Sequence, residues 1–556
     1  MQINCLILAA GAIVLFWLGY QFYSRSFARI WDIDASRKTP AIANYDGVDY
    51  VPAKHWTVLF GHHFASIAGA APVIGPIIAL SIWGWAPALI WIVLGTILFG
   101  GIHDFSSLMV SLRSGGRSIA DVASATISHR AKVVFSIFIW LTLILVIAVF
   151  IHFCAKTFIA EPRIVIPTVG LIPLAMLLGF MLYDVKFNQI STTILGLAVL
   201  GGLIMLGNNI PLGLVKLSFK VQEYTLSIKS MELWTILLLV YAFFASITPV
   251  HILLQPRDYL CAFLLVAGLV LGFAGLVVSN PAIQLPAFIA WKAETGYLWP
   301  MLFVTVACGA ISGFHSLVAS GTTSKQLSNE RHARKIGYGA MIIEGMVALL
   351  ALLIVAAAVA NIADLRQILD TGGGPVAAFA KGFTSVTRPL LGKWGGLIAI
   401  IILNAFILTT LDTATRIGRY LTQELLGIKN RYISTLIVIG FGGFLALSGK
   451  WSIIWPLFGT ANQLVAAMAL IVVTSWLLSH RKSIKFTLLP ALIMLATAVA
   501  ALIYQVIRFL KSQEWLLVFI TFALLGLAFY MLLEVDLILF RAFKRRKKER
   551  TIQGYV

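Results

Sequence analysis

Residues 60–76 read FGHHFASIAGAAPVIGP. The run around this stretch is apolar enough to cross a lipid bilayer, yet the stretch itself holds two adjacent histidines, four alanines and two prolines. Gly69, Pro72, Gly75 and Pro76 fall at mid-membrane depth if the run is a span. Proline removes a backbone donor and clashes with the preceding turn, and glycine loosens what remains. Unpaired backbone at that depth is tolerated only inside protein or beside a water-filled cavity. The stretch therefore predicts a discontinuous helix facing a polar cavity.

The composition sets the context for that break. Of 556 residues, 60% are hydrophobic and only 12% charged, and the mean hydropathy is +0.94. A water-soluble fold cannot cover that much apolar surface. Apolar runs of helix-spanning length recur from end to end without the alternation of barrel strands. An all-α polytopic membrane protein follows, with fifteen spans expected at 5–23, 57–82, 86–110, 133–153, 164–182, 190–209, 232–250, 258–278, 298–320, 337–360, 396–412, 431–449, 455–478, 486–507 and 515–540. The first has no basic residue ahead of it and is too long for a signal-peptide core, so it is read as an uncleaved span. Cys5, Cys154, Cys261 and Cys308 are scattered and fit neither a disulfide framework nor a CxxC metal site.

The net charge of +20 would suggest nucleic acid in a soluble protein; here its distribution reports orientation instead. With the basic tail RAFKRRKKER inside and the chain alternating, 29 of the 42 Lys and Arg fall on cytoplasmic segments. The N-terminus is then external and the C-terminus cytoplasmic.

Two further spans are irregular. The seventh runs YAFFASITPVHILLQPRD, where Thr248 before Pro249 reads as an N-cap with proline at the first helical position. The ninth contains VACGAISGFHSLVASG, small residues with His315 among them. Paired broken spans in corresponding halves point to a transporter binding site. Spans two to six (57–209) and seven to eleven (232–412) each open on a break and enter from opposite sides. That is the pattern of a five-plus-five inverted repeat within a single transmembrane domain covering 1–556. Residues 1–56 form an accessory helix and cytoplasmic loop, 431–540 accessory helices, and 541–556 the tail.

Ionisable groups within spans are expensive and usually face the bundle interior. His62 and His63 precede the first break, His103 and Asp104 lie in the third span, Glu344 in the tenth, and Asp412 ends the eleventh. Asp412 and Arg416 are four apart, so a local salt bridge is expected. Glu534 and Asp536, close to the basic tail, read as interfacial. Adjacent helical residues point in different directions, so His62 and His63 cannot share one ion on an intact helix. No HExxH or Walker sequence is present, which leaves a metal centre or an ATP-driven pump without support. The glycine-rich DTGGGPVAAFAKGFTSV (370–386) sits before an amphipathic stretch and reads as a re-entrant or interfacial helix.

FGHHFASIAGAAPVIGP, GGIHDFSSLMVSLRSGGRSI, LLQPRDYL, ACGAISGFHSLVASGTTSKQL, LDTATRIGRYL and WPLFGTANQL together resemble the carbon starvation protein A (CstA) family of bacterial inner-membrane transporters, from about Phe60 to about Leu464. Longer members carry additional C-terminal sequence that this chain lacks. The resemblance implies uptake of pyruvate or peptides as scavenged carbon, proton symport for the pyruvate carriers, and a LeuT-like core in which the second, fourth, seventh, ninth and eleventh spans supply core helices one, three, six, eight and ten. Half-helices starting at Pro72 and at Thr248 would then aim backbone N–H groups at a substrate carboxylate. Gly69, Ala70, Ala71, Pro72 and Thr248 are the expected contacts, with His251 as a nearby cation. His62, His63, His103, Asp104 and His315 are the expected proton-coupling groups. Sodium is the alternative ion, with Ser312 and Ser316 as ligands. No cofactor and no nucleic acid are expected; the partners are a small-molecule substrate and the bilayer. A membrane-embedded enzyme would need a convergent nucleophile or metal set, and none is visible.

Overall fold

The computed structural model describes residues 3–214, 217–221, 224–371, 373–448, 451–530 and 532–533. Glu534, Asp536 and the basic tail lie outside the described residues, as does most of the end of the last expected span. Twelve helices among the described residues are long and apolar enough to cross a membrane. Two shorter apolar helices, Arg431–Leu447 and Trp515–Tyr530, accompany them.

The second expected span is broken at the place the sequence marks. Helix α1 (Trp56–Ile67) is opened by His55, whose ring accepts from the Thr57 N–H, and it ends at Ala68, which leaves helical geometry (φ −78°, ψ 52°). Helix α2 (Ala71–Trp83) then starts with Pro72 in its first turn, where a missing N–H is tolerated. Helix α3 follows at Trp85–Arg113 and α4 at His129–Ala160.

After α4 come the apolar helices Pro162–Asp184 and Gln189–Asn209 and a short strand hairpin, Leu217–Val221 with Tyr224–Ile228. Helix α5 (Ser230–Ile247) corrects the reading of the seventh span, because it is uninterrupted and Thr248 is its C-cap, extended at φ −71°, ψ 140°. Proline disfavours α geometry in the residue before it, so Thr248–Pro249 ends one helix and does not start the next. A turn follows, and α6 begins at Leu254 and runs to Ser279.

The second discontinuity lies further on. Helix α7 (Leu298–Thr305) stops, residues 306–312 are non-helical, and α8 (Gly313–Gly321) resumes. Helix α9 (Glu330–Ala358), the amphipathic helix Pro375–Leu391, α10 (Gly395–Leu426), α11 (Arg431–Leu447) and α12 (Trp451–Ser479) complete the centre. Pro375–Leu391, read from sequence as re-entrant or interfacial, buries Phe379, Phe383 and Val386 against α9 and α6 and leaves Lys381 and Arg388 exposed.

The helices connect two faces. On one face, Val250 N–H reaches the Val48 carbonyl, and Lys54 reaches the carbonyls of Leu182 and Phe187. On the other, Asn4 pairs with Ala282, Trp85 N–H meets the Pro286 carbonyl, and Gln284 N–H meets the Ala356 carbonyl. The long helices α4 and α10 pack along each other at the centre. Thr157 of α4 donates to the Asn404 side chain of α10 at 2.6 Å.

Candidate functional site

The two discontinuities face each other. A Cβ added to Gly75 would lie 2.5 Å from the Thr305 carbonyl oxygen, so only glycine lets α2 cross the end of α7 this closely. A Cβ on Gly309, within the second break, would lie 3.7 Å from the Cα of Pro72. Small residues thus bring two interrupted backbones into contact in the protein interior.

Side chains from neighbouring helices occupy the carbonyls that the breaks release. Thr409 of α10 donates to the Ala65 carbonyl at 2.7 Å, and Thr410 to that of Ser66 at 3.1 Å. At the second break, Trp91 donates to the Val306 carbonyl at 3.1 Å and Thr96 to that of Gly309 at 3.2 Å. Asn462 of α12 supplies the cap that α8 lacks by accepting the Phe314 N–H at 2.8 Å. The opening N–H groups of α2, on Ala70 and Ala71, have no acceptor among the described residues. The site therefore presents spare backbone donors at the start of α2, which suit an anion.

Two chains of buried polar side chains flank the breaks. The first runs through His103, Asp104, His315 and Glu344, all fully buried. His103 Nδ1 and His315 Nδ1 share the Asp104 carboxylate at 2.8 and 2.9 Å. His315 Nε2 lies 3.2 Å from Glu344 Oε2, close enough for an ion pair but not aligned as a hydrogen bond, so both Glu344 oxygens lack a hydrogen-bond partner among the described residues.

The second chain centres on LLQPRDYL. His62 Nδ1–H donates to Asp258 at 2.7 Å, while Gln326 donates to His62 Nε2 at 3.1 Å. The Gln326 carbonyl already accepts from Gln255 at 2.7 Å, which turns its amide group toward His62. Arg257 binds Asp258 at 2.6 Å and bridges to Asp412, which also accepts from Tyr241. His63 joins neither chain by a hydrogen bond; its Nδ1 meets Thr323 Oγ1 at 2.8 Å.

The expected residues therefore divide. Gly69, Ala70, Ala71 and Pro72 stand at the apposed breaks, and His62, His63, His103, Asp104 and His315 are buried in the surrounding polar network. Thr248 and His251 are elsewhere, because the α5 terminus packs on Arg416, which donates to the Thr248 carbonyl, and His251 rests edge-on against Tyr183. Ser312 is engaged by Asn462 at 2.9 Å and Ser316 donates to the Gly313 carbonyl at 2.7 Å. Asp412 pairs with Arg257 and not with Arg416, whose partner is Asp49 at 2.9 Å. Sequence reading assigned no role to Arg257, Asp258, Gln326 or Asn462, although each lies inside a motif it had singled out. An Arg–Asp pair next to an apolar run was the available signal.

The face carrying residues 44–55 holds a third charged group. Asp49 joins Arg416 and Arg419, and the Lys325 ammonium sits 4.1 Å from the centre of the Tyr420 ring. Burial pushes the Asp49 carboxyl up, but Arg416 and Arg419, with the Tyr420 hydroxyl and the Lys325 ammonium, together hold it below its ordinary value.

Comparison with known proteins places this architecture. The family model described as carbon starvation protein CstA matches residues 4–369 and 357–501. The peptide transporter CstA of Campylobacter jejuni is 31% identical over 92% of this chain and 82% of its own length. The pyruvate/proton symporter BtsT of Escherichia coli K12 is 31% identical over 90% of this chain and 81% of its own. The Escherichia coli peptide transporter CstA is 32% identical over 84% and 76% respectively. Among solved structures, an Eremococcus coleocola manganese transporter in complex with an aromatic bis-isothiourea compound matches with a TM-score of 0.52 at 12% identity, over 89% of this chain and 99% of that one. That likeness is one of fold.

Proposed function

We propose that this chain, which belongs to the carbon starvation protein CstA family and is a membrane transporter, imports a small carboxylate-bearing carbon source, pyruvate or a peptide, by proton symport with alternating access. The observation that carries this reading is the contact between two interrupted helices, with the N–H groups of Ala70 and Ala71 at the start of α2 unpaired among the described residues. The helix dipole and those donors favour a carboxylate there. Gly69, Ala70, Ala71 and Pro72 hold the substrate, and the buried His62, His63, His103, Asp104 and His315 carry the proton.

The same reading includes a LeuT-like inverted repeat with a changed register. Helices α1–α2, α3, α4, α5 and α6 form one half, and α7–α8, α9, α10, α11 and α12 the other. What supports it is the match of element with element. Each half opens on a broken helix, its third member has 32 residues in both, and its fourth has 18 or 17. The halves also pack reciprocally, with α6 against α1 and α10 and α12 against α8 and α4. They enter from opposite faces. In this register Pro162–Asp184 and Gln189–Asn209 are an insertion, and the second half extends beyond Asp412 to Ser479. Counting the discontinuous α7–α8 and the two short apolar helices gives fifteen crossings, with the N-terminus outside and the C-terminus inside a bacterial inner membrane.

Sodium is the less favoured ion, because the Ser312 and Ser316 hydroxyls and several break carbonyls already have protein partners. The test is uptake of labelled pyruvate and of a labelled dipeptide into proteoliposomes under an imposed pH or sodium gradient. Concentrative uptake that follows the pH gradient is expected. Accumulation driven only by sodium, or no uptake of either solute, overturns the assignment.

A further inference from the structure

Glu344 stands apart from the other buried charges. It lies in the interior of α9, fully buried, and neither carboxylate oxygen has an aligned hydrogen-bond partner among the described residues. The other buried carboxylates of the network are held: Asp104 by two histidines, Asp258 by His62 and Arg257, and Asp412 by Arg257 and Tyr241. An ionised carboxylate in a protein interior is costly unless it is paired, and the partner that faces Glu344, the His315 imidazole at 3.2 Å, carries charge only when protonated. The group is thus poised to gain or lose a proton, according to what faces it.

The groups around it are few. His315 of α8 faces it at 3.2 Å through Nε2, and Asp104 of α3, with His103 behind it, lies on the far side of that ring. Cys308 of the second break carries its thiol nearby, held by Ser312 and Asn462. His63 of α1 approaches the same network. Helix α2 has no titratable side chain, and Lys381 and Arg388 of Pro375–Leu391 are exposed. Among the described residues no permanent cation sits beside Glu344.

We infer that Glu344 is the side chain that takes up and releases the coupled proton, with His315 as the partner that exchanges it and Asp104 as the fixed anion that orients His315. This rests on the symport reading above and names the residue at which it operates. With His315 as imidazolium, Nδ1–H donates to Asp104 and Nε2–H points toward Glu344. Transfer breaks the Nε2–H bond and forms an O–H bond on Glu344, leaving a neutral imidazole and a neutral acid. The reverse transfer restores the ion pair. His315 opens the half-helix that leaves the second break, so the state of this pair is tied directly to the segment facing Pro72.

The decisive experiment needs no substrate. Infrared difference spectra of the purified protein, recorded between acid and alkaline pH, are compared for wild type and Glu344→Gln. A protonated-carboxyl band present in wild type and lost in Glu344→Gln is the expected result. A wild-type band that survives the substitution, or a wild type with no such band, overturns the assignment. Glu344→Asp controls for folding, since it restores the band at a shifted position if the site is intact. In proteoliposomes Glu344→Gln is expected to lose pyruvate accumulation under a pH gradient. Accumulation at the wild-type level overturns the inference, while wild type that fails to transport any tested solute counts against the substrate assignment alone.

Discussion

Two buried polar chains flank the apposed breaks, and they differ in one component. The chain through His62, Asp258, Arg257, Asp412 and Tyr241 contains a guanidinium that stays charged at any pH the protein meets. The chain through His103, Asp104, His315 and Glu344 contains only groups that titrate. In the first, two aspartates compete for one permanent cation, and the resulting clasp joins α6 to α10 and, through Tyr241, to α5. In the second, positive charge exists only when a histidine is protonated, so a proton changes the number of charges buried at the second break. The first chain is anchored by a permanent cation and holds helices together; the second has no such anchor.

The sharpest way to break that distinction is at Arg257. Arg257→Met leaves two fully buried aspartates without their cation, and removing one partner of a buried pair destabilises by about 3–5 kcal/mol. Thermal unfolding in detergent should therefore fall sharply at pH 7, with partial recovery as the pH is lowered and the aspartates become neutral. Unchanged thermal stability would show that the clasp is not structural. The third cluster predicts a smaller effect of opposite sign with pH. The Asp49 carboxyl is held below its ordinary value, so its stabilisation is complete above the unfolded value of about 4 and is lost as pH falls toward the folded one. Asp49→Asn should cost about 1 kcal/mol at neutral pH and flatten the acid side of the stability profile. A profile that still falls in acid as steeply as wild type would place the responsible carboxylate elsewhere.

The sequence made the first break legible because Gly69 and Pro72 leave a span no other choice. It misplaced the second because a Thr–Pro pair reads equally well as the start or the end of a helix. Only packing decides, and Thr248 closes α5 against Arg416. The run at 306–312 carried the correct signal in its small residues, yet no proline marks it. Local spacing also favoured Asp412 with Arg416, but the partner Asp412 finds lies 155 residues away, on another helix. Arg257 looked like a loop charge because it sits near an expected span end, and the extension of α6 back to Leu254 is what buries it. Asn462 illustrates the general limit. Its motif was visible, but its role as a cap for a helix 148 residues earlier exists only in the folded chain.

The central claim is that substrate and proton move together past these breaks. Proteoliposomes loaded with a pH-sensitive dye and exposed to labelled pyruvate or dialanine, without an imposed gradient, measure both fluxes at once. The account predicts internal acidification that rises with substrate influx and stops when substrate is withdrawn. Substrate influx with no acidification, or influx that requires sodium, would contradict it.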